Sequence, residues 1–161
     1  MTPSAHAPSD TALAGLRDLA IHPRINHPDL RTIYPPLAEA GFALVAAVSP
    51  TVLAMKFWIL LHDLALVVLL TVWCQRRSGT GLAAIAYAWN PLVVTEYAGS
   101  GHHDPTALLA LVLACYWVDR RPRLSALAFS AAVLIKLAPL VVLPFLWVRW
   151  NGRARTIASV T

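Results

Sequence analysis

The chain has 161 residues, of which 58% are hydrophobic and 13% are charged, and its mean hydropathy is +0.60. A soluble domain is about half apolar and about a quarter charged, and the apolar excess here comes in runs, which points to a bilayer as solvent. The net charge of +5 would suit a nucleic-acid partner in a soluble protein, but most arginines stand in short clusters beside apolar runs, so we expect membrane lipid and no nucleic acid as partner.

The first 50 residues divide into two segments. Residues 1–35 are polar and rich in proline and histidine, and they contain no apolar run long enough to cross a membrane. Residues 36–50, "PLAEAGFALVAAVSP", are apolar but too short for a hydrocarbon core of about 30 Å, which takes about 20 residues. We therefore predict an outer-face polar loop segment followed by an interfacial juxtamembrane helix.

Residues 51–150 are predicted to form a transmembrane helical region of about four to five spans, followed by a cytoplasmic tail at residues 151–161. Proline is expected to interrupt two of the apolar segments, at Asn90-Pro91 and beside Lys136. The last segment should therefore be a helix, a break and a second short apolar leg. The apolar segments are residues 51–74, 79–99, 105–118 and 124–150. The predicted fold class is all-α, with polytopic membrane helices and an outer-face interfacial helix.

Three arginine clusters orient the predicted spans. Under the positive-inside rule the clusters lie on the cytoplasmic side, and alternate turns then lie outside. The stretch "EYAGSGHHD" (96–104), called the polar turn below, is expected on the outer face. The clusters are Arg76 and Arg77; Arg120, Arg121 and Arg123; and Arg149, Arg153 and Arg155.

The polar turn places four ionisable residues between two apolar segments: Glu96, His102, His103 and Asp104. A metal site is only weakly indicated, because adjacent histidines point in different directions and no third ligand stands at a typical zinc spacing. Asp104 before Pro105 is typical of a helix N-cap, which would leave both histidines unexplained. Glu96 is either a functional carboxylate or an exposed helix-end residue. Histidines and a carboxylate beside glycines favour a phosphate or sugar ligand.

Asp63 and Lys136 are further candidates because they fall inside apolar segments, where a charge costs about 2.5–3.5 kcal/mol on insertion scales. Asp63 lies in the middle of the first span, beside His62. It either belongs to a substrate site or makes an internal ion pair or a hydrogen bond between helices. Lys136 either extends to the membrane interface or lines a site.

The amino-terminal segment adds weaker candidates. Asn26, His27 and Asp29 are residues that also occur in ordinary turns. They precede Tyr34, which with its two following prolines fixes an extended entry into the interfacial helix.

Taken together, "NHPDLRTIYPPLAE", "AWNPLVVTEYAGSGHHD" and "LIKLAPLVVLP" resemble motifs of the polytopic type C glycosyltransferases. The similarity is to the bacterial polyprenyl-phosphate-sugar mannosyltransferase-like group, and it covers nearly all of residues 10–148 with the motifs in the family's order. It implies a multi-pass enzyme of the bacterial plasma (inner) membrane that transfers a hexose, mannose-like, from a polyprenyl-phosphate donor on the outer face. We expect no cofactor and no resident metal ion.

The resemblance also implies roles for particular residues. The polar turn supplies donor- or substrate-binding candidates, namely Glu96, His102, His103 and Asp104. Lys136 occupies the place of a basic residue that meets the donor phosphate, and Tyr34 belongs to the family's tyrosine-proline-proline stretch. The catalytic carboxylate is expected upstream of Met1, so the chain is expected to be a fragment that lacks the first span. The secondary candidates are Asn26, His27, Asp29 and Asp63.

Two other classes of protein fit parts of the pattern. A secondary transporter segment also carries ionisable residues in proline-broken helices, and a non-catalytic membrane protein could derive from the enzyme. The place where the polar groups converge separates the enzyme from the transporter. In the enzyme they converge at the outer face, and in a transporter they converge near the bilayer midplane.

Overall fold

A computed structural model describes residues 3–158, and the side chains of residues 4–152. The chain divides into two compact units, Met1–Tyr34 and Pro35–Thr161. Every regular element of the described residues is helical, and they contain no strand, so the predicted all-α class is confirmed.

The amino-terminal unit consists of three short 3-10 turns, at Pro3–Ala5, Thr11–Leu16 and His22–Arg24. Asp10 begins the second turn, because its carboxylate accepts the Ala12 N–H at 3.0 Å. The Arg17 guanidinium donates to the main-chain carbonyls of Pro8 and Asp10. Local polar contacts of this kind, rather than an apolar core, hold the unit together.

The described residues of the second unit form seven α-helices. Two of the longer helices begin at Pro36 and Pro122, where proline is tolerated because the first N–H groups of a helix have no partner within the helix, and a third is capped by Thr51. The helices are α1 (Pro36–Val48), α2 (Val52–Ser78), α3 (Ile85–Ala88), α4 (Pro91–Val93), α5 (Asp104–Trp117), α6 (Pro122–Ile135) and α7 (Leu143–Ala158). Shorter pieces are 3-10 helical at Leu82–Ala84 and Ala138–Val142 and π-helical at Val94–Gly99.

Helix α2 is the longest element, with 27 residues. The Thr51 hydroxyl caps its start by accepting the Ala54 N–H, and Gly79 ends it in the left-handed conformation at φ 74°. The helix continues through Arg76 to Ser78, beyond the end predicted at Cys74. Arginine favours helix, and its charge is stabilised near the carbonyl end of the helix dipole.

Helix α2 is also the one helix in the described part of the chain that is long and apolar enough to cross a membrane by itself. Only 17% of its most apolar window is buried, whereas a core helix of a soluble protein is mostly buried. Leu53, Phe57 and Val68 are among its exposed apolar side chains. Helices α1, α5 and α6 have only 13 or 14 residues, so the number of spans stays a prediction.

The segment predicted as one bent span, residues 79–99, is divided into short helical pieces. Asn90 begins α4, since its side-chain oxygen accepts the Leu92 N–H at 2.9 Å and Pro91 stands at the first helical position. Proline has no N–H and its ring clashes with the preceding turn, so α3 cannot continue through it. The difference from the prediction is therefore one of degree, a break instead of a bend.

Helix α5 packs mainly against α6 and α2. Small residues allow this close approach, because Ala114, Ser125 and Ala132 are all fully buried. The Ser125 hydroxyl donates to the Ala114 carbonyl at 2.7 Å and accepts the Trp150 indole N–H at 3.2 Å, which joins α5, α6 and α7.

The last apolar segment has the predicted form of a helix, a break and a second leg. Helix α6 ends at Ile135, Lys136 is extended, and Pro139 lies in the 3-10 piece that leads to α7. The predicted tail at residues 151–161 is helical as far as Ala158. Its remaining residues, and the side chains of Arg153 and Arg155, lie outside the described part of the structure.

Candidate functional site

The polar turn begins inside a widened π-helical segment, Val94–Gly99. The Ser100 N–H bonds the Thr95 carbonyl five residues back at 2.8 Å, and the His102 N–H bonds the Glu96 carbonyl at 3.0 Å. Gly101, at φ 81°, then reverses the chain in a conformation that glycine adopts without strain. Widened turns of this type occur frequently at functional sites.

This turn places the side chains of Glu96 and His102 together. The His102 Nε2 lies 3.4 Å from a Glu96 carboxylate oxygen, with side-chain exposures of 59% and 41%. At that exposure the attraction itself stabilises the fold little. Both groups remain open to solvent, where they can contact a ligand.

Asp104 forms an ion pair with Lys136, across 32 residues of sequence. The predicted N-cap role of Asp104 is wrong, because α5 begins at Asp104 itself and His103 occupies the cap position without a side-chain cap bond. The Asp104 carboxylate instead lies against the ammonium group of Lys136. Asp104 and Lys136, which the resemblance makes separate donor-binding candidates, thus lie together.

Lys136 reaches the turn because α6 stops one residue before it. Its backbone is extended, at φ −153° and ψ 140°, and its N–H closes the helix on the Ala132 carbonyl. Pro139 lies just beyond and cannot supply the N–H that a longer helix needs. The break releases the lysine from the helix surface, so its side chain extends to Asp104.

His103 points away from His102, as expected for adjacent residues. It is buried, with 8% exposure, and its ring meets Phe42 of α1 edge to face with centroids 5.5 Å apart. Burial lowers the pKa of His103; the nearby Asp104 carboxylate acts in the opposite direction, and the Lys136 charge acts with burial. The histidine is therefore held in its neutral form near neutral pH.

An apolar cavity of about 320 Å³ adjoins His103. Helix α1 forms one wall, and residues of α2, α5 and α6 close the others. Most of the lining side chains are apolar. The polar side-chain groups of the lining belong to Trp58, His62, His103 and Thr106. Such a lining suits a hydrocarbon chain with a polar group at one end.

Asp63 forms its hydrogen bond with a residue outside the polar turn. The Tyr87 hydroxyl donates to its carboxylate at 2.6 Å, which links α2 to α3. The sequence left a substrate site, an ion pair and a hydrogen bond between helices open for Asp63. The structure shows the hydrogen bond between helices. His62 is bonded within α2, with Nδ1 2.8 Å from the Trp58 carbonyl.

Four candidates lie in the amino-terminal unit. The side chains of Asn26, His27 and Asp29 are exposed, and Tyr34 is 46% exposed. The site described above is built wholly from residues of the second unit. Within the described residues, no three histidine, cysteine, aspartate or glutamate side chains come together as metal ligands.

Lys56 is a contact of the polar turn that the sequence did not single out. Its ammonium group donates to the Gly99 carbonyl at 2.5 Å. The sequence showed only a lysine near the start of the first apolar span. A lysine at that place is common at a membrane interface and does not indicate a contact with the polar turn.

The family model for glycosyltransferase family 87 matches residues 32–161, about four-fifths of the chain. The chain therefore belongs to this family of membrane glycosyltransferases. The match includes Tyr34, the polar turn and Lys136, and it begins after Asn26, His27 and Asp29. No curated protein and no solved structure matches the chain.

Proposed function

We propose that this chain carries the donor-binding site of a lipid-linked glycosyltransferase. The donor is a polyprenyl-phosphate-linked hexose, mannose-like, that is bound on the outer face of a bacterial inner membrane. The single observation that carries the proposal is the ion pair of Lys136 with Asp104 in a member of glycosyltransferase family 87. It puts a fixed cation at a turn that also presents a carboxylate and a histidine.

The chemistry requires a cation at this place. Transfer of the sugar breaks its bond to the phosphate, and negative charge develops on the departing lipid phosphate. A lysine held in position stabilises that charge more in the transition state than in the bound donor. Asp104 orients the Lys136 ammonium, and Glu96 and His102 are placed to hydrogen-bond the sugar hydroxyls.

The apolar cavity beside His103 supports a donor that carries a hydrocarbon chain. It has the lining that isoprene units need, and the histidine belongs both to the cavity and to the polar turn. A donor whose phosphate meets Lys136 would thus have an apolar surface close by.

Donor binding is the property for which the proposed site residues of this chain can be tested, because Lys136, Asp104, Glu96 and His102 lie at one turn. A transporter reading has less support, because Asp63 in the middle of α2 is hydrogen-bonded to Tyr87 and the other polar groups gather at the polar turn.

The experiment compares ligands that share one part of the donor. The chain is reconstituted in nanodiscs of neutral lipid, and binding of a polyprenyl-phosphate mannose, of the same prenyl alcohol and of mannose 1-phosphate is titrated. We expect the donor to bind best and Lys136→Met to weaken its binding by about tenfold, or 1.4 kcal/mol.

Arg149→Met is the matched control, because Arg149 forms an ion pair with Asp119 at another place in the fold. It should leave donor affinity unchanged. Equal affinity for the donor and the prenyl alcohol would show that no phosphate–sugar group is recognised and would contradict the proposal.

A further inference from the structure

The Lys56 side chain, which comes from helix α2, contacts the backbone of the polar turn. The lysine stands near the start of α2, 43 residues before Gly99 in sequence, and its ammonium group donates to the Gly99 carbonyl. Its stem lies against Gly101, where an added Cβ would be 3.3 Å from the Lys56 Cγ. The side chain thus contacts the turn on both sides of Ser100.

The backbone hydrogen bonds of the turn explain why this contact matters. Three successive N–H groups, from Ser100 to His102, bond the carbonyls of Thr95, Tyr97 and Glu96. These bonds maintain the widened backbone turn in which the His102 ring lies beside the Glu96 carboxylate. The Gly99 carbonyl faces Lys56 instead of a backbone donor.

Lys56 makes no ion pair within the described residues, in contrast to Lys136, which is paired with Asp104. Its charged N–H group is directed to a main-chain carbonyl, and a charged donor makes a stronger hydrogen bond than a neutral one. The lysine is therefore suited to fix a piece of backbone.

We propose that Lys56 is a positioning residue for the polar turn. By bonding Gly99 and packing on Gly101 it holds the widened turn in which Glu96 and His102 face each other. The proposal rests on the proposed function, since the Glu96–His102 pair is assigned there to the sugar of the donor. Lys56 acts through that pair and does not itself contact the donor.

The first test needs no substrate. Amide hydrogen exchange is measured on the full chain in nanodiscs for the wild type and for Lys56→Met, Lys56→Arg and Lys136→Met. We expect Lys56→Met to speed exchange at Ser100, Gly101 and His102 by about tenfold, and Lys56→Arg to stay within about threefold of the wild type.

Two controls make that result specific. Protection of the α5 amides shows that each variant is folded, and Lys136→Met removes the other lysine of the turn without removing the Gly99 bond. Unchanged exchange at residues 100–102 in Lys56→Met would overturn the proposal. Equal acceleration in Lys136→Met would also overturn it, because any lost charge would then have the same effect.

The second test asks whether Lys56 acts through Glu96. Donor affinity is measured for Lys56→Met, Glu96→Gln and the double variant. We expect Lys56→Met to weaken binding by about fivefold alone and by less than about twofold when Glu96 is already Gln. A merely structural role would give additive losses, and additive losses would reject the proposal.

The two tests separate the failure of each claim. If the wild type binds no donor, the proposed function fails, and hydrogen exchange alone still decides whether Lys56 positions the turn. If the wild type binds donor while Lys56→Met changes neither exchange nor affinity, the positioning role fails and the proposed function stands.

Discussion

Removing the charge of Lys136 should destabilise the fold as well as the proposed site. Lys136→Met leaves the Asp104 carboxylate, which is 28% exposed, without its counter-charge. Breaking a fully buried pair costs about 3–5 kcal/mol, whereas exposed pairs contribute about 0.2–1 kcal/mol. With the lysine side chain 41% exposed, the coupling between the two residues should be about 1–2 kcal/mol.

A double-mutant cycle measures this coupling directly. The free energy of unfolding is determined in mixed detergent micelles for Lys136→Met, Asp104→Asn and the double variant. The double variant should be less destabilised than the sum of the single variants, because it removes the uncompensated carboxylate together with the lysine.

The pair of Arg149 with Asp119 provides the internal comparison. Its side chains are 46% and 52% exposed, so the same cycle there should give less than about 1 kcal/mol. A Lys136–Asp104 coupling no larger than that of the control pair would refute the reasoning, because partial burial would then have no effect on the strength of the pair.

Three further outcomes follow from other parts of the structure. Tyr87→Phe removes the donor to the Asp63 carboxylate and should lower the free energy of unfolding by about 1 kcal/mol; an unchanged value would show that the bond does not form. Burial lowers the pKa of His103 in the folded chain below its ordinary 6.5, so the unfolded chain binds a proton at a higher pH than the folded chain does. The free energy of unfolding should therefore decrease as pH falls from about 7 through 6.5. His103→Gln should lose that pH dependence, and a wild type with the same stability at pH 7.5 and pH 5.5 would contradict it. In a cysteine-free background, an impermeant thiol reagent should label Ser100→Cys and spare Ser78→Cys in intact cells, and the reverse pattern would invert the proposed topology.

Local signals in the sequence predicted much of the fold. The apolar run after Thr51 is long and contains no proline or glycine, so α2 was predictable to within a few residues. The break between α6 and α7 was predictable as well, because Pro139 follows a lysine within an apolar segment. These features depend on residues that are close together along the chain.

The candidate site was less predictable, because its contacts join distant residues. The polar turn and Lys136 were recognised from residue type, but the same residues predicted an N-cap at Asp104 that does not form. The cap was a local possibility, whereas the ion pair in the structure joins Asp104 to a residue 32 positions away. Lys56 was missed for the same reason, since nothing near it in sequence indicates Gly99.

Photoaffinity mapping of the donor site tests the central claim most directly. A prenyl-phosphate mannose that carries a photoreactive group on its first isoprene unit is bound to the full chain, irradiated, and the modified peptides are identified by mass spectrometry. We expect labelling of residues 96–106 and of the break around Lys136, and excess unmodified donor should suppress both. Labelling confined to the middle of α2 around Asp63, with the polar turn unmodified, would contradict the account and favour a transporter-like path.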